Sequence, residues 1–419
     1  MISKSGSSAK ALRNAATLLV VRDAPVGMEV LMLQRPERAQ DLFRGAYVFP
    51  GGVVEDNDRG LYQFCVGIDD GAASRRLGLK EHGLAYYVAA IRECFEEAGL
   101  LFAYGPNGDM VDLDNFDGAD LAALRGGLQT GETDFGEICR KLNLRLAVDK
   151  LNFYSHWLTP LGVTRRFDTY FFLAAAPPAQ TALHDGSEAL QHHWLRPHEA
   201  LARSDEFRLL PPTKRSLESI SSFVSVTDCC QHASGLKDIR ITMPRLARGA
   251  AGPRLLMPDD AAYAEVARLD PEGHGEASCE IEHDKPIRLS ERIIRITAAN
   301  GNVMTGPGTN TYLVGGGERN EWAVIDPGPD LDAHVQNIIA AAPGAIRWIF
   351  VTHTHKDHSP AAAKLKSLTG ARLHGQLAPD LELQDSTFRP EHTVADGDRF
   401  SIAGVATLKA MATPGHASN

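Results

Sequence analysis

At 419 residues, with 43% hydrophobic and 23% charged residues, the chain has the composition of a soluble globular protein and is too long for one ordinary core, so two or more domains are expected. A net charge of −10 with no long basic run argues against a nucleic-acid footprint for the N-terminal part. Six cysteines (Cys65, Cys94, Cys139, Cys229, Cys230 and Cys279) form no Cys-x-x-Cys pair, which points to reduced thiols in a cytoplasmic protein.

Residues 1–10 read as a flexible tail. The apolar run Ala15 to Val21 is too short to span a membrane, so no membrane partner is expected. With Glu29 to Leu33 it frames Asp23-Ala24-Pro25-Val26-Gly27 as a hairpin. Phe49-Pro50-Gly51-Gly52-Val53-Val54-Glu55 follows, a turn whose glycines admit backbone conformations closed to other residues. A mixed stretch at about 59–83 then leads into Ala85 to Leu100. There Glu93, Glu96 and Glu97 stand i, i+3 and i+4, so one helix face would offer three carboxylates to a hard cation. Val88, Ile91, Phe95 and Ala98 recur on the other face at helical period, and Gly99 is a C-terminal stop. A solvated acidic stripe on an ordinary amphipathic helix is the plain alternative for three glutamates by themselves.

The glycine turn followed by Arg92-Glu93-x-x-Glu96-Glu97-x-Gly99 resembles the Nudix box, G-x5-E-x7-R-E-U-x-E-E-x-G-U, in which U is a bulky aliphatic residue. Arg92 follows Gly52 by forty residues, so the stretch at about 59–83 is an insertion into the box. The box's first glutamate has two candidate positions, Leu84 at the helix-side spacing and Asp58 at the turn-side spacing, and Cys94 takes an aliphatic position. An interrupted box of this kind resembles the coenzyme A diphosphatase branch of the family. That likeness continues through Trp157-Leu158-Thr159-Pro160, Arg165-Arg166-Phe167-Asp168-Thr169 and Leu209-Leu210-Pro211-Pro212-Thr213. The resemblance implies an α/β/α sandwich over 11–235. It further implies that Glu93, Glu96 and Glu97 hold Mg²⁺ or Mn²⁺, that Arg92 orients a helix carboxylate and that Gly51 and Gly52 face the substrate. The substrate would be a nucleoside diphosphate linked to another group, of the coenzyme A or acyl-coenzyme A type. Glu188, in the loop before a strand at Ala189 to Leu195, is nominated as general base. A sensor that binds nucleotide without cleaving it is the non-enzymatic alternative, and the retained acidic face speaks for turnover instead.

Beyond the helix, a Gly/Asp-rich loop to Gly118 and a helical region to about Leu144 precede strands at Leu151 to Leu158 and Phe167 to Ala175. His192 and His193 fall on opposite strand faces and read as structural. Repeated Pro and Gly make 236–288 an extension or linker. From 289 the pattern becomes strand, glycine loop, strand, helix, strand, and Trp348 to Thr352 runs into His353-Thr354-His355-Lys356-Asp357-His358. Three imidazoles and a carboxylate so close together at a strand exit signal a metal site.

This Thr-His-x-His-x-Asp-His run, with Gly-Thr-Asn-Thr-Tyr-Leu-Val upstream and Thr-Pro-Gly-His downstream, resembles the metallo-β-lactamase superfamily, in particular the hydrolases that include a single-strand endoribonuclease. The resemblance implies the N-terminal part of an αββα sandwich over 289–419, so that the chain as a whole is a two-domain α/β and α+β protein. His353, His355 and His416 would bind one Zn²⁺, and Asp357 and His358 would contribute to a second. That second position is expected to be incomplete, because a bridging aspartate and a further histidine of the family pattern have no counterpart here. The substrates implied for a complete domain are an ester, a thioester or RNA.

Overall fold

The computed structural model describes residues 12–37, 45–113, 116–184, 186, 189–377 and 383–417. The chain divides into two compact units, with the boundary between Pro244 and Arg245. Among the described residues no helix is long and apolar enough to cross a membrane.

The first unit opens with β1 (Arg13–Ala24) and β2 (Gly27–Gln34), an antiparallel hairpin across Ala24 and Gly27. Strands β3 (Tyr47–Val48) and β4 (Gly51–Val53) flank the Pro-Gly bend, and a 3-10 helix covers Asp56–Phe64. The insertion is completed by α1 (Asp70–Leu77), after which α2 (Gly83–Ala98) carries the three glutamates. A small two-stranded sheet of β5 (Ala103–Tyr104) and β6 (Arg145–Leu146) encloses α3 (Gly118–Thr130) and α4 (Phe135–Lys141). Then come β7 (Asn152–Leu158), β8 (Phe167–Ala175), β9 (Gln191–Leu195), α5 (Pro197–Ala202), α6 (Pro211–Ile220), α7 (Val226–Gly235) and β10 (Ile241–Thr242). The main sheet runs β10-β7-β8-β1-β2-β3, with β4 added to β1 and β9 to β2, and β1 and β8 are parallel.

Alternation along β1 explains the sandwich. Ala16, Leu18 and Val20 join the core that α2 fills with Tyr87, Ile91 and Phe95. Leu19 and Val21 point to the other face and are also buried, and α7 packs against that sheet. Helix α2 begins where the insertion caps it: the Asp70 carboxylate accepts the N–H groups of His82 at 2.9 Å and Leu84 at 3.0 Å. It ends at Gly99, whose φ of +70° places it in the left-handed region and whose N–H closes on the Phe95 carbonyl.

The second unit contains the hairpin β11 (Arg245–Gly249) and β12 (Gly252–Leu256), α8 (Tyr263–Leu269), β13 (Ile287–Ser290) and β14 (Ile293–Thr297). It continues with β15 (Asn310–Gly316), β16 (Glu321–Ile325), α9 (Asp332–Ala341), β17 (Ala345–Phe350), α10 (Ala361–Thr369), β18 (Arg372–Gly375), β19 (His392–Thr393), β20 (Arg399–Ile402) and β21 (Ala406–Lys409). Strands β13 to β19 form one sheet in chain order, antiparallel as far as β16 and parallel from β16 to β19. Its core gathers Ile296, Leu313, Trp322, Val324, Val335 and Ile349. The segment 236–288 is thus divided between the units. β10 pairs with β7, whereas residues after Pro244 are tied into the second unit, where Arg295 clasps Glu265 and the buried His334 meets Asp284 at 2.8 Å.

Candidate metal centres

Every residue of α2 except Glu96 is buried, the acidic face included. The cover comes from the bend and from the insertion. Gly51 N–H donates to Glu97 Oε2 at 2.9 Å, and a Cβ on Gly51 would sit 2.4 Å from the Ala16 carbonyl oxygen. At Gly52 a Cβ would lie 2.4 Å from the Glu93 carboxylate carbon, so only glycine lets this backbone come so close to the helix acids.

Arg92 ties the parts together. Its Nη1 donates to Glu93 Oε1 at 2.9 Å and Glu96 Oε1 at 3.2 Å, and its Nη2 donates to the Val53 carbonyl at 2.9 Å. Its Nε and Nη2 grip both oxygens of Asp58 at 2.8 and 3.2 Å. Burial alone would lower the Arg92 pKa; Asp58, Glu93 and Glu96 together raise it, and the guanidinium stays charged. Burial pushes Glu93 up to about 7 against the opposing pull of Arg92, and Glu96 is raised by the same cause. Three carboxylates on one helical stripe form a hard oxygen donor set that suits a divalent cation.

Asp58 is the residue that local spacing left undecided. It is fully buried, also accepts the Glu55 N–H at 2.8 Å, and occupies the turn-side position six residues after Gly52. Leu84, the helix-side candidate, packs in the apolar core instead. The signal was the count from the glycine. Glu188 and the tail 1–10 lie outside the described residues.

In the second unit, His353, His355 and His416 present one nitrogen each, all within 4.8 Å of one another. His353 Nε2 and His355 Nδ1 are 3.1 Å apart, and His355 Nδ1 and His416 Nε2 are 3.0 Å apart. Burial, reinforced by His358, pushes His353 down to about 4, and burial with His416 lowers His355. Neutral imidazoles with converging lone pairs are the form a metal takes up, so this donor set fits zinc.

His358 lies beside the trio, its ring centroid 4.1 Å from that of His353. Its Nδ1 is 2.9 Å from Asp326 Oδ2 and its Nε2 is 3.2 Å from Asp357 Oδ2. Burial would lower the His358 pKa, but the Asp326 carboxylate raises it. Asp326 also accepts the Thr352 N–H and hydroxyl, both at 2.7 Å, so it braces the start of the histidine run. Asp326 was not among the residues nominated from sequence; its position at the exit of β16, before Pro327-Gly328, was the available cue.

Comparison with known proteins finds relatives of two separate stretches of the chain. Residues 69–218 match the NUDT19 Nudix domain family, and residues 304–419 match the metallo-beta-lactamase superfamily. The chain is 30% identical over 277 residues to the human acyl-coenzyme A diphosphatase NUDT19, covering 57% of this chain and 73% of that protein. It is 33% identical over 146 residues to the Drosophila melanogaster beta-lactamase-like protein 2 homolog, covering 32% of this chain and 48% of that protein. Among solved structures, a NUDIX hydrolase from Alicyclobacillus acidocaldarius aligns with a TM-score of 0.46 at 23% identity, over 54% of this chain and 97% of that one.

Proposed function

The chain belongs to the NUDT19 branch of the Nudix hydrolases and is a hydrolase acting on acid anhydrides; on that premise we propose that its first unit cleaves the diphosphate of coenzyme A or an acyl-coenzyme A. Both families matched here are metal-dependent; we assign Mg²⁺ or Mn²⁺ to the first unit and Zn²⁺ to the second. The observation that carries the reading is the junction of the Gly51 N–H with Glu97 while Arg92 spans Glu93, Glu96 and Asp58.

In this reading Glu93, Glu96 and Glu97 hold the divalent cation, which when bound neutralises charge on the diphosphate and makes water more acidic. Arg92, fixed by Asp58, keeps the carboxylates of Glu93 and Glu96 turned to the same side of α2. The glycine bend holds the backbone of Gly51 and Gly52 against Glu97 and Glu93, beside the cation those acids would hold and the diphosphate it would draw in. Glu188 takes the proton of the attacking water as its oxygen bonds to phosphorus, and the bridging P–O bond breaks with its electrons going to the leaving phosphate. The products are 3′,5′-ADP and phosphopantetheine, the latter still acylated when the substrate was.

Glu97→Gln tests the assignment. The amide oxygen can still accept the Gly51 N–H, so the fold is expected to hold while product formation falls to background. Mass spectrometry of products from coenzyme A, ADP-ribose and NADH, with Mg²⁺ or Mn²⁺, reads out both activity and substrate. Wild-type turnover in the variant sinks the assignment, and cleavage of ADP-ribose alone moves the substrate away from coenzyme A. For the second unit the converging nitrogens of His353, His355 and His416 favour Zn²⁺-dependent hydrolysis of an ester, thioester or RNA.

A further inference from the structure

Resting on the reading that the first unit cleaves acyl-coenzyme A at its diphosphate, we propose that the second unit hydrolyses the thioester of the acyl-phosphopantetheine so released, with Val303 and Met304 receiving the acyl chain. Diphosphate cleavage leaves the carbon–sulfur bond untouched. The product therefore still carries an activated acyl group, and the class of reaction that consumes it is thioester hydrolysis. Water supplies the oxygen that bonds to the carbonyl carbon; the C–S bond breaks, sulfur keeps the bonding pair and takes a proton, and a carboxylate and a free thiol result.

The loop between β14 and β15 is built for an apolar ligand. Val303 is 101% exposed and Met304 84%, side by side. A mobile loop could present such residues by chance, but this one is wired by its own side chains. Asn302 Oδ1 accepts the N–H groups of Met304 at 2.7 Å and Thr305 at 3.2 Å, Asn302 N–H donates to Thr305 Oγ1 at 3.0 Å, and Thr305 Oγ1 donates to the Asn300 carbonyl at 2.6 Å. Asn300 in turn binds Thr309 at both ends, through Oδ1 to the N–H at 2.9 Å and through Nδ2 to the hydroxyl at 3.0 Å. The Thr309 hydroxyl then reaches Asp357 Oδ2 at 3.4 Å, which joins the loop to the histidine run. The exposed pair is thus held on the same framework as the three-histidine site.

Charge decides against a polyanionic occupant. Across 298–310, 326–328, 352–359 and 414–417, the segments that carry the site, Lys356 is the only lysine or arginine, against Asp326 and Asp357. An RNA backbone needs several cations to replace its counterions. Acyl-phosphopantetheine carries a single phosphate, at the end remote from its thioester, and the thioester and aliphatic tail that enter the site are uncharged.

The test uses the full chain. Acyl-phosphopantetheine is supplied directly in the presence of Zn²⁺ and free thiol is followed. Separately, calorimetry measures binding of the S-octyl thioether of phosphopantetheine, which cannot be cleaved, to wild type and to the Val303→Ser/Met304→Ser double variant. Thiol and fatty acid are expected to appear, and the thioether is expected to bind the double variant about tenfold more weakly. Persistence of the thioester, or equal thioether binding by both proteins, overturns the proposal. With acyl-coenzyme A as substrate, release of 3′,5′-ADP alongside intact acyl-phosphopantetheine fails the second unit alone. No 3′,5′-ADP fails the reading of the first unit, and the proposed order of reactions with it.

Discussion

A guanidinium as deeply buried as that of Arg92 needs its charge answered, and Asp58 answers it with both oxygens. Removing one member of a buried pair leaves the other charged and desolvated, which costs about 3–5 kcal/mol. Arg92 keeps Glu93 and Glu96, so Asp58→Ala is expected to lower the stability of the first unit by part of that amount in urea unfolding, although Asp58 belongs to the 3-10 helix after the bend and not to α2. Gly52→Ala is expected to spare stability and to lower turnover instead. Its new Cβ meets only the far end of the Glu93 side chain, which can swing away, so stability should change by less than about 1 kcal/mol. Displacing that carboxylate should still lower kcat about 10²-fold, because reacting groups tolerate little misplacement. Parallel melting and rate measurements separate the two outcomes, and a Gly52→Ala protein that melts early but turns over normally contradicts this picture.

Among the elements, α2 shows how tertiary packing revises a local pattern. Its period marks one apolar face and one acidic face, and an isolated helix would leave the acids in water. In the fold the 3-10 helix covers that face through Asp58, and α1 caps the start of the same helix through Asp70, so the stretch between bend and helix helps to complete the site it interrupts. A second element-scale device is the turn after α8. Asp270 accepts the N–H groups of His274 at 3.0 Å, Gly275 at 2.7 Å and Glu276 at 3.2 Å. Burial would raise its pKa; the three donors override that and lower it. A carboxylate whose folded pKa is depressed contributes stability that is complete above its unfolded value of about 3.9 and is lost as pH falls through the folded value. Denaturant titrations at descending pH should show the second unit weakening over that acidic window, and Asp270→Asn should flatten this part of the profile. An unchanged slope in the variant removes the assignment.

Across the whole molecule, two units with separate cores carry two donor sets of different hardness, carboxylates in one and imidazoles in the other. A ligand that binds only one folded unit stabilises only that unit, by about 2.7 kcal/mol at a hundredfold excess over its Kd. Calorimetric scans with Zn²⁺ are expected to raise the transition of the second unit alone, and His353→Ala is expected to abolish the rise; a shift in the first unit's transition counts against the division of metals. The sequence by itself determined what short-range geometry dictates. Helical spacing sets Glu93, Glu96 and Glu97 on one stripe, strand alternation separates His192 from His193, and a strand exit carries His353, His355, Asp357 and His358. Only the tertiary structure decided that Asp58 and not Leu84 answers Arg92, that His416 returns to His355 from 61 residues away, that Asp326 steadies His358, and that the stretch after Pro244 folds with the second unit. Each of those depends on which distant segments exclude water together, and no local period encodes that.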